Sequence, residues 1–385
     1  MAKAFDFVCN RQVLFGEGKI KELAGLISWH GVKKVFFAAY KGIGKDYDDA
    51  VQSLSEKGIG AYKYEIATEP DLNIINNGRD IFLKEKCDCT VALGGGSVID
   101  TAKSINMLAA NGGNVEQYQM EGKQAAKAPT LFVAIPTTAG TGAEATKTAV
   151  VTNNNNGLKK SLYHTSMIAD IVILDPVLTL GLPPKTTAAT GMDALSHAIE
   201  SYVSLNANTF SEMFGLKAIE IINENLPKAF REPSNIDARG SMLLASYLGG
   251  QAITAGIGIA HIMAQPIGAL YHVPHGDACS IFLPASMELN MPYAAKKYAK
   301  IAFALGVGKI GASDEENTKN AIKRVQDIQK EINAPSKLAP YIAATGKEAD
   351  NAVMIDCIKR TTGHITCNPK PLNEALMTDI FNMCK

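Results

Sequence analysis

Apolar positions in the first 180 residues follow two alternating textures. Val35-Phe36-Phe37-Ala38-Ala39, Cys89-Thr90-Val91-Ala92-Leu93 and Ile171-Val172-Ile173-Leu174 are apolar at nearly every position, as expected of strands buried on both faces. Between such runs, 46–57 and 73–86 place apolar residues three and four apart, which predicts amphipathic helices. Further strands are predicted at 61–66 and 130–135 and a further helix at 97–110. Strands alternating with helices imply βαβ units and a parallel sheet. The tract Asn153-Asn154-Asn155-Asn156-Gly157 predicts a hairpin turn between strands at 146–152 and 158–163.

Past Leu182 the spacing is helical: 185–203, 208–230, 236–255, 258–271, 318–332 and 346–359, with no β-branched run after Leu174. Pro183-Pro184 is a natural hinge, since a proline pair continues neither helix nor strand. Two domains are expected: an α/β dinucleotide-binding domain over 1–182 with a parallel, Rossmann-like sheet, and an all-α domain over 183–385.

Charge narrows the function. Lys+Arg and Asp+Glu are 38 each, and this balance argues against a nucleic-acid or anionic-membrane partner. The seven cysteines are scattered without a CxxC pair and read as free thiols of a reducing cytosol. The first residues lack the apolar core of a signal peptide, so a cytoplasmic location is expected. The apolar window 251–271 is interrupted by Gly256, Gly258, His261, Gln265, Pro266 and Gly268. It reads as a buried helix, not a membrane span.

Two turns and one quartet carry candidate chemistry. Gly94-Gly95-Gly96-Ser97 lies between a strand and a helix, where glycines admit a phosphate and the helix N-terminus favours it. Ser97 suits the N-cap. The GGGS alone reads equally well as a tight structural turn. A second turn, Pro136-Thr137-Thr138-Ala139-Gly140-Thr141-Gly142, follows another strand and strengthens the nucleotide reading, because α/β sheets bind ligands at the carboxyl ends of their strands. Asp193 and His197 are four apart on one helix face, while His261 and His275 are separated by Pro266 and Pro274, so a bend must bring them together. Each residue alone is more often structural. A carboxylate and three imidazoles in apolar surroundings are jointly explained by Fe(II), Zn(II) or Mn(II).

With these motifs in order, the chain resembles the iron-containing (group III) alcohol dehydrogenase family. The matching stretches are 94–103, 136–146, 191–201 and 261–276, with Asp175-Pro176 and Pro183-Pro184 between them. The resemblance implies a dehydroquinate synthase-like architecture: a dinucleotide-binding domain, an all-α metal-binding domain, and an active site in the cleft between them. It implies Asp193, His197, His261 and His275 as metal ligands. It also implies an NAD(P) site lined by Gly95, Gly96, Ser97, Thr137, Thr138, Thr146 and Lys159 with Leu178 beside it, and a homodimer or larger homo-oligomer.

Three departures bear on function. Gln265 stands where many members carry another histidine and cannot shuttle a proton, which leaves His272 as candidate relay. Tyr40 stands where NAD-preferring members usually place an aspartate, so NAD is expected on the family's habit and NADP is not excluded. Thr148, Gln251, Ala252, His364 and Lys370 suggest a polar substrate pocket. The expected activity is hydride transfer between nicotinamide and a small aliphatic aldehyde or primary alcohol, with a polar or anionic tail of the semialdehyde or sulfoacetaldehyde type. A glycerol or diol dehydrogenase and a dehydroquinate synthase-like metal lyase are the alternatives.

Overall fold

A six-stranded, wholly parallel sheet forms the framework of the first of two compact units, residues 8–138 and 142–181, in a computed structural model that describes residues 4–385. Its elements in order are β1 (Gln12–Phe15), α1 (Leu23–Trp29), β2 (Lys34–Tyr40), α2 (Lys45–Glu56), β3 (Gly60–Ile66), α3 (Leu72–Lys84), β4 (Cys89–Gly94), α4 (Gly96–Asn111), α5 (Val115–Met120), β5 (Leu131–Pro136), β6 (Thr148–Asn153), β7 (Leu158–Tyr163) and β8 (Ile171–Leu174). The strand order is β1-β8-β5-β4-β2-β3.

Side chains alternate along each strand. Val35, Phe37, Val91, Leu93, Val133, Ile135 and Ile171 share one core with Leu23 and Ile27 of α1 and Leu54 of α2. On the other face Phe36 meets Phe82 of α3 at 5.7 Å between ring centroids. Helices therefore cover both faces, as the nearly unbroken apolar strands require. The chain leaves β2 for β3 on one side and then crosses back to β4 on the other. The winding reverses there, at the carboxyl ends of β2 and β4, and such a reversal opens a ligand crevice. The asparagine tract turns the antiparallel β6–β7 hairpin, as expected.

One local expectation is corrected. Ser97 lies inside the first turn of α4, and the N-cap is Gly95, with no side-chain cap. Glycine can start the helix two residues earlier because no Cβ obstructs the approach: a Cβ on Gly95 would stand 3.2 Å from Thr138.

The second unit comprises residues 182–385 with the short segments 4–7 and 139–141. It is helical: α6 (Pro184–Val203), α7 (Thr209–Arg231), α8 (Ile236–Ala252), α9 (Ile259–Tyr271), α10 (His275–Ala304), α11 (Asp314–Glu331), α12 (Ala339–Thr345), α13 (Asn351–Thr361) and α14 (Glu374–Cys384). Helix α8 stops short of the predicted 255, because Ile253–Ala255 tightens into a 3-10 turn and Gly256 takes φ 86°. The axes of the 236–255 and 259–271 segments then differ by 103°. Among the described residues no single helix is long and apolar enough to cross a membrane. Helix α10 holds Pro284 and Pro292 and leaves helical geometry at Ala294. Buried Arg239 ties α8 to the start of α6, donating to Thr187 Oγ1 at 2.6 Å and to the Leu182 carbonyl at 3.2 Å.

Candidate functional site

Helix α6 presents Asp193 and His197 on one face, α9 brings His261, and the first residue of α10 is His275. Gly276 lets α10 close on α6, and Gly191 lets α7 close on α6. A Cβ on Gly276 would lie 2.1 Å from the Ala189 carbonyl oxygen, and one on Gly191 would lie 2.2 Å from Leu226 Cδ1. The chain turns from α9 to α10 at His272, a non-glycine residue in the left-handed region at φ 55°, followed by Pro274 as N-cap. That is the bend the two prolines demanded.

Asp193 Oδ1 is the hub. It lies 3.3 Å from His261 Nε2, 3.5 Å from His275 Nε2 and 3.8 Å from His197 Nε2. The His197 and His261 rings stack at 4.3 Å. Asp193 Oδ1 and His261 Nε2 are buried with no hydrogen-bond partner. Buried polar atoms are rarely left so. Donor atoms around one metal at about 2.0–2.2 Å sit roughly 3.3–3.6 Å apart, so the His261 and His275 spacings fit a divalent ion, while His197 stands slightly farther from Asp193. The compact donor set also holds a residue the sequence reading passed over: ligand atoms of Asp193, His261, His275 and Cys279 all lie within 4.8 Å of one another.

The electrostatics suit ligation. Burial pushes His197 down to about 3, offset in part by Asp193, so this imidazole is neutral. Burial would raise Asp193, but the surrounding histidines overcome it and hold the carboxyl below its usual range. Burial likewise lowers His261, but Cys279, Asp193 and Glu200 more than reverse it. A metal must displace that proton, so its affinity falls as pH falls.

Glu200 is the other residue passed over. Its Oε2 lies 2.6 Å from His261 Nδ1 and its Oε1 accepts from Ala260 N at 2.6 Å. With Nδ1–H held by a carboxylate, Nε2 is the nitrogen that can give up its proton and turn a lone pair to a metal beside Asp193. Glu200 is three positions after His197 and Cys279 four after His275, so helical spacing was the available signal.

At the sheet's reversal point, Thr137 N donates to Gly94 O at 3.0 Å, and Gly95 backs onto Thr138. The two polar turns are therefore adjacent, beside the first amides of α4, which have no carbonyl partner within the helix. Tyr40 ends β2 and is exposed. Thr146 Oγ1 is 3.1 Å from the ammonium of Lys103. That ammonium is buried, donates to the carbonyls of Ala143 and Thr148 at 2.8 and 2.6 Å, and pairs with Asp100 at 3.2 Å. Leu178 packs against the sheet core, and Lys159 pairs with Glu69.

Other candidates are more dispersed. Gln265 is half-buried one turn after His261, and His272 is exposed. Gln251 and Ala252 are buried at the end of α8, where Gln251 donates to Tyr247 Oη at 2.8 Å. His364 is exposed and Lys370 half-buried in the connection before α14, while Thr148 opens β6 in the other unit.

A doubly covered parallel sheet with a glycine turn at its reversal point, followed in the chain by a helical unit with a carboxylate–imidazole cluster, is the arrangement expected of a nucleotide-linked metal enzyme. The chain belongs to the iron-containing alcohol dehydrogenase family: the family's sequence profile matches residues 10–176, and its C-terminal profile matches 187–384. It is similar to the NAD-dependent methanol dehydrogenase of Bacillus methanolicus, 32% identical over 97% of each chain. It is also similar to the 1,3-propanediol dehydrogenase of Citrobacter freundii, 33% identical over 98% of each. A crystal structure of 1,3-propanediol oxidoreductase superposes with a TM-score of 0.94 at 32% identity, covering 100% of both chains. The protein is an oxidoreductase of the alcohol dehydrogenase type.

Proposed function

We propose that the protein interconverts a small aliphatic aldehyde carrying a polar tail and its primary alcohol, with NAD(H) as hydride carrier and one divalent metal, Fe(II) in the first instance. Asp193, His197, His261 and His275 would hold the metal. Zn(II) and Mn(II) suit the same donors. The observation that carries the reading is the pair of buried atoms, Asp193 Oδ1 and His261 Nε2, 3.3 Å apart and each without a hydrogen-bond partner.

When bound, the metal supplies Lewis acidity toward a carbonyl or alcohol oxygen, and the nicotinamide supplies or takes the hydride. The chain's own residues do the rest. Glu200 orients His261. Gly95, Gly96, Ser97, Thr137 and Thr138 accept the pyrophosphate at the N-terminus of α4. His272, exposed at the end of α9, passes the proton to solvent, since Gln265 cannot. NAD is favoured by the NAD-dependent relative, and Tyr40 offers no carboxylate to repel a 2′-phosphate.

Gln251 and Tyr247 form a neutral polar pair on α8, the helix whose Gly249 would place a Cβ 3.7 Å from His197 Cβ. This supports a polar tail. The propanediol dehydrogenase relative favours a second reading, in which the tail is a hydroxyl and the alcohol a diol. NADH consumption with propanal, 3-hydroxypropanal, succinic semialdehyde and sulfoacetaldehyde separates the options. A kcat/KM preference for propanal removes the polar tail, and absence of turnover with every aldehyde in Fe(II)-loaded protein removes the activity. Chelation followed by Fe(II) addition should abolish and restore the rate.

A further inference from the structure

We propose that Cys279 is a metal ligand, adding a thiolate to the oxygen and nitrogen donors. The inference rests on the metal site proposed above and concerns a residue of this chain that the proposed quartet omits. Cys279 is fully buried and sits one helical turn after His275 on α10, so both side chains lie on one helix face. Its Sγ is 3.7 Å from His275 Nε2. For an imidazole nitrogen and a thiolate on one five-coordinate metal, bond lengths of about 2.05 and 2.3 Å imply a separation of roughly 3.1 Å at 90° to 3.8 Å at 120°.

The second observation is independent of the thiol. Asp193 Oδ1 and His261 Nε2, each in a side chain at least nine-tenths buried, lie 3.3 Å apart with no hydrogen-bond partner. The ligand atoms of Asp193, His261, His275 and Cys279 form a set mutually within 4.8 Å. A buried cysteine without a metal behaves as a small hydrophobe, and that role would not require its sulfur to face three metal-type donors. On binding, the S–H proton leaves to solvent as the sulfur–metal bond forms, with no change in oxidation state. The cluster is open on the His275 side, where the imidazole is 47% exposed. A sulfur donor shifts preference toward Zn(II) and Co(II) relative to Mn(II).

The test is spectroscopic and uses the full chain. Co(II)-loaded protein should show a thiolate-to-cobalt charge-transfer band in the near ultraviolet. Cys279→Ser should lose that band and keep the visible ligand-field bands. Zinc-loaded wild type, measured by X-ray absorption, should show one sulfur at about 2.3 Å, which tests the proposal even if the variant does not fold. Ligand-field bands without charge transfer, or a zinc shell of nitrogen and oxygen only, would overturn the thiolate while leaving the metal enzyme intact. A charge-transfer band that survives Cys279→Ser also overturns it. Failure to take up either metal overturns both readings.

Discussion

Replacing Glu200 with glutamine changes one oxygen to NH2 at a position 3% exposed. The carboxylate now receives two donors at 2.6 Å, Ala260 N–H on Oε1 and His261 Nδ1–H on Oε2. Glutamine keeps one acceptor. Either a buried donor is left facing an amide N–H, at a cost of about 1–3 kcal/mol, or the His261 imidazole changes tautomer. In the second case Nδ1 accepts and Nε2 carries the proton, directed at the atom cluster around Asp193 Oδ1. Both routes weaken the metal more than the fold, because a ligating Nε2 needs Nδ1–H anchored by a carboxylate, and the amide no longer anchors it. Loss of an outer partner of this kind costs about 10–100-fold in metal affinity, or roughly 1.4–2.7 kcal/mol. The assay is competition against a calibrated chelator for wild type and Glu200→Gln, paired with thermal melts of both metal-free proteins. A variant whose metal affinity matches wild type would refute the reasoning, whatever its melting temperature.

Three further outcomes are expected. Gly276→Ala drives a methyl group into the Ala189 carbonyl, 2.1 Å from the ideal Cβ; α10 must back away from α6, so metal content should fall together with the denaturation midpoint, and full metal occupancy would contradict this. Lys103→Met strands Asp100 and the Ala143 and Thr148 carbonyls in a buried setting, a loss of about 3–5 kcal/mol measurable by urea unfolding, and Lys103→Arg should not restore it because the larger guanidinium would enter a fully buried position. Glu144, 2% exposed, has its carboxyl raised by burial from 4.5 to about 7; the folded state favours the neutral acid, so this stability is present below the unfolded value and is lost as pH rises through about 7. Glu144→Gln should therefore flatten the decline in stability between about pH 5 and pH 8 by about 2–3 kcal/mol, and a decline unchanged from wild type would count against it.

Much of the fold was legible because burial on both faces writes strands such as β4 and β8 as continuous apolar runs, and because Gly58 and Gly256 end helices where only glycine is comfortable. Asp193 and His197 were legible for the same reason, since polar residues in an apolar helix stand out. Glu200 and Cys279 were not. A glutamate at helical spacing is usually a solvated face and a cysteine in an apolar run is usually core, so neither residue type signals a role until its neighbours are placed. Strand β1 pairs with β8 at the sheet edge and buries only Leu14, too little alternation to recognise. Helix α10 was masked by Pro284 and Pro292, which its long packed surface tolerates. Ser97 is the better N-cap by residue type, but the close approach of Thr138 selects Gly95, two residues before it.

Asp193 on α6 and His275 at the start of α10, beyond the bend at His272, lie about 80 residues apart in the chain. A metal gripping both would act as a reversible cross-link. A covalent tie closing a loop of that length removes unfolded-chain entropy worth roughly 4–5 kcal/mol. A coordinate tie exerts its effect by mass action, adding about 1.4 kcal/mol for each tenfold excess of free metal over its dissociation constant. The folding equilibrium of the helical unit is then a joint property of chain and ion. Melting curves recorded at different free-metal concentrations would describe different thermodynamic systems.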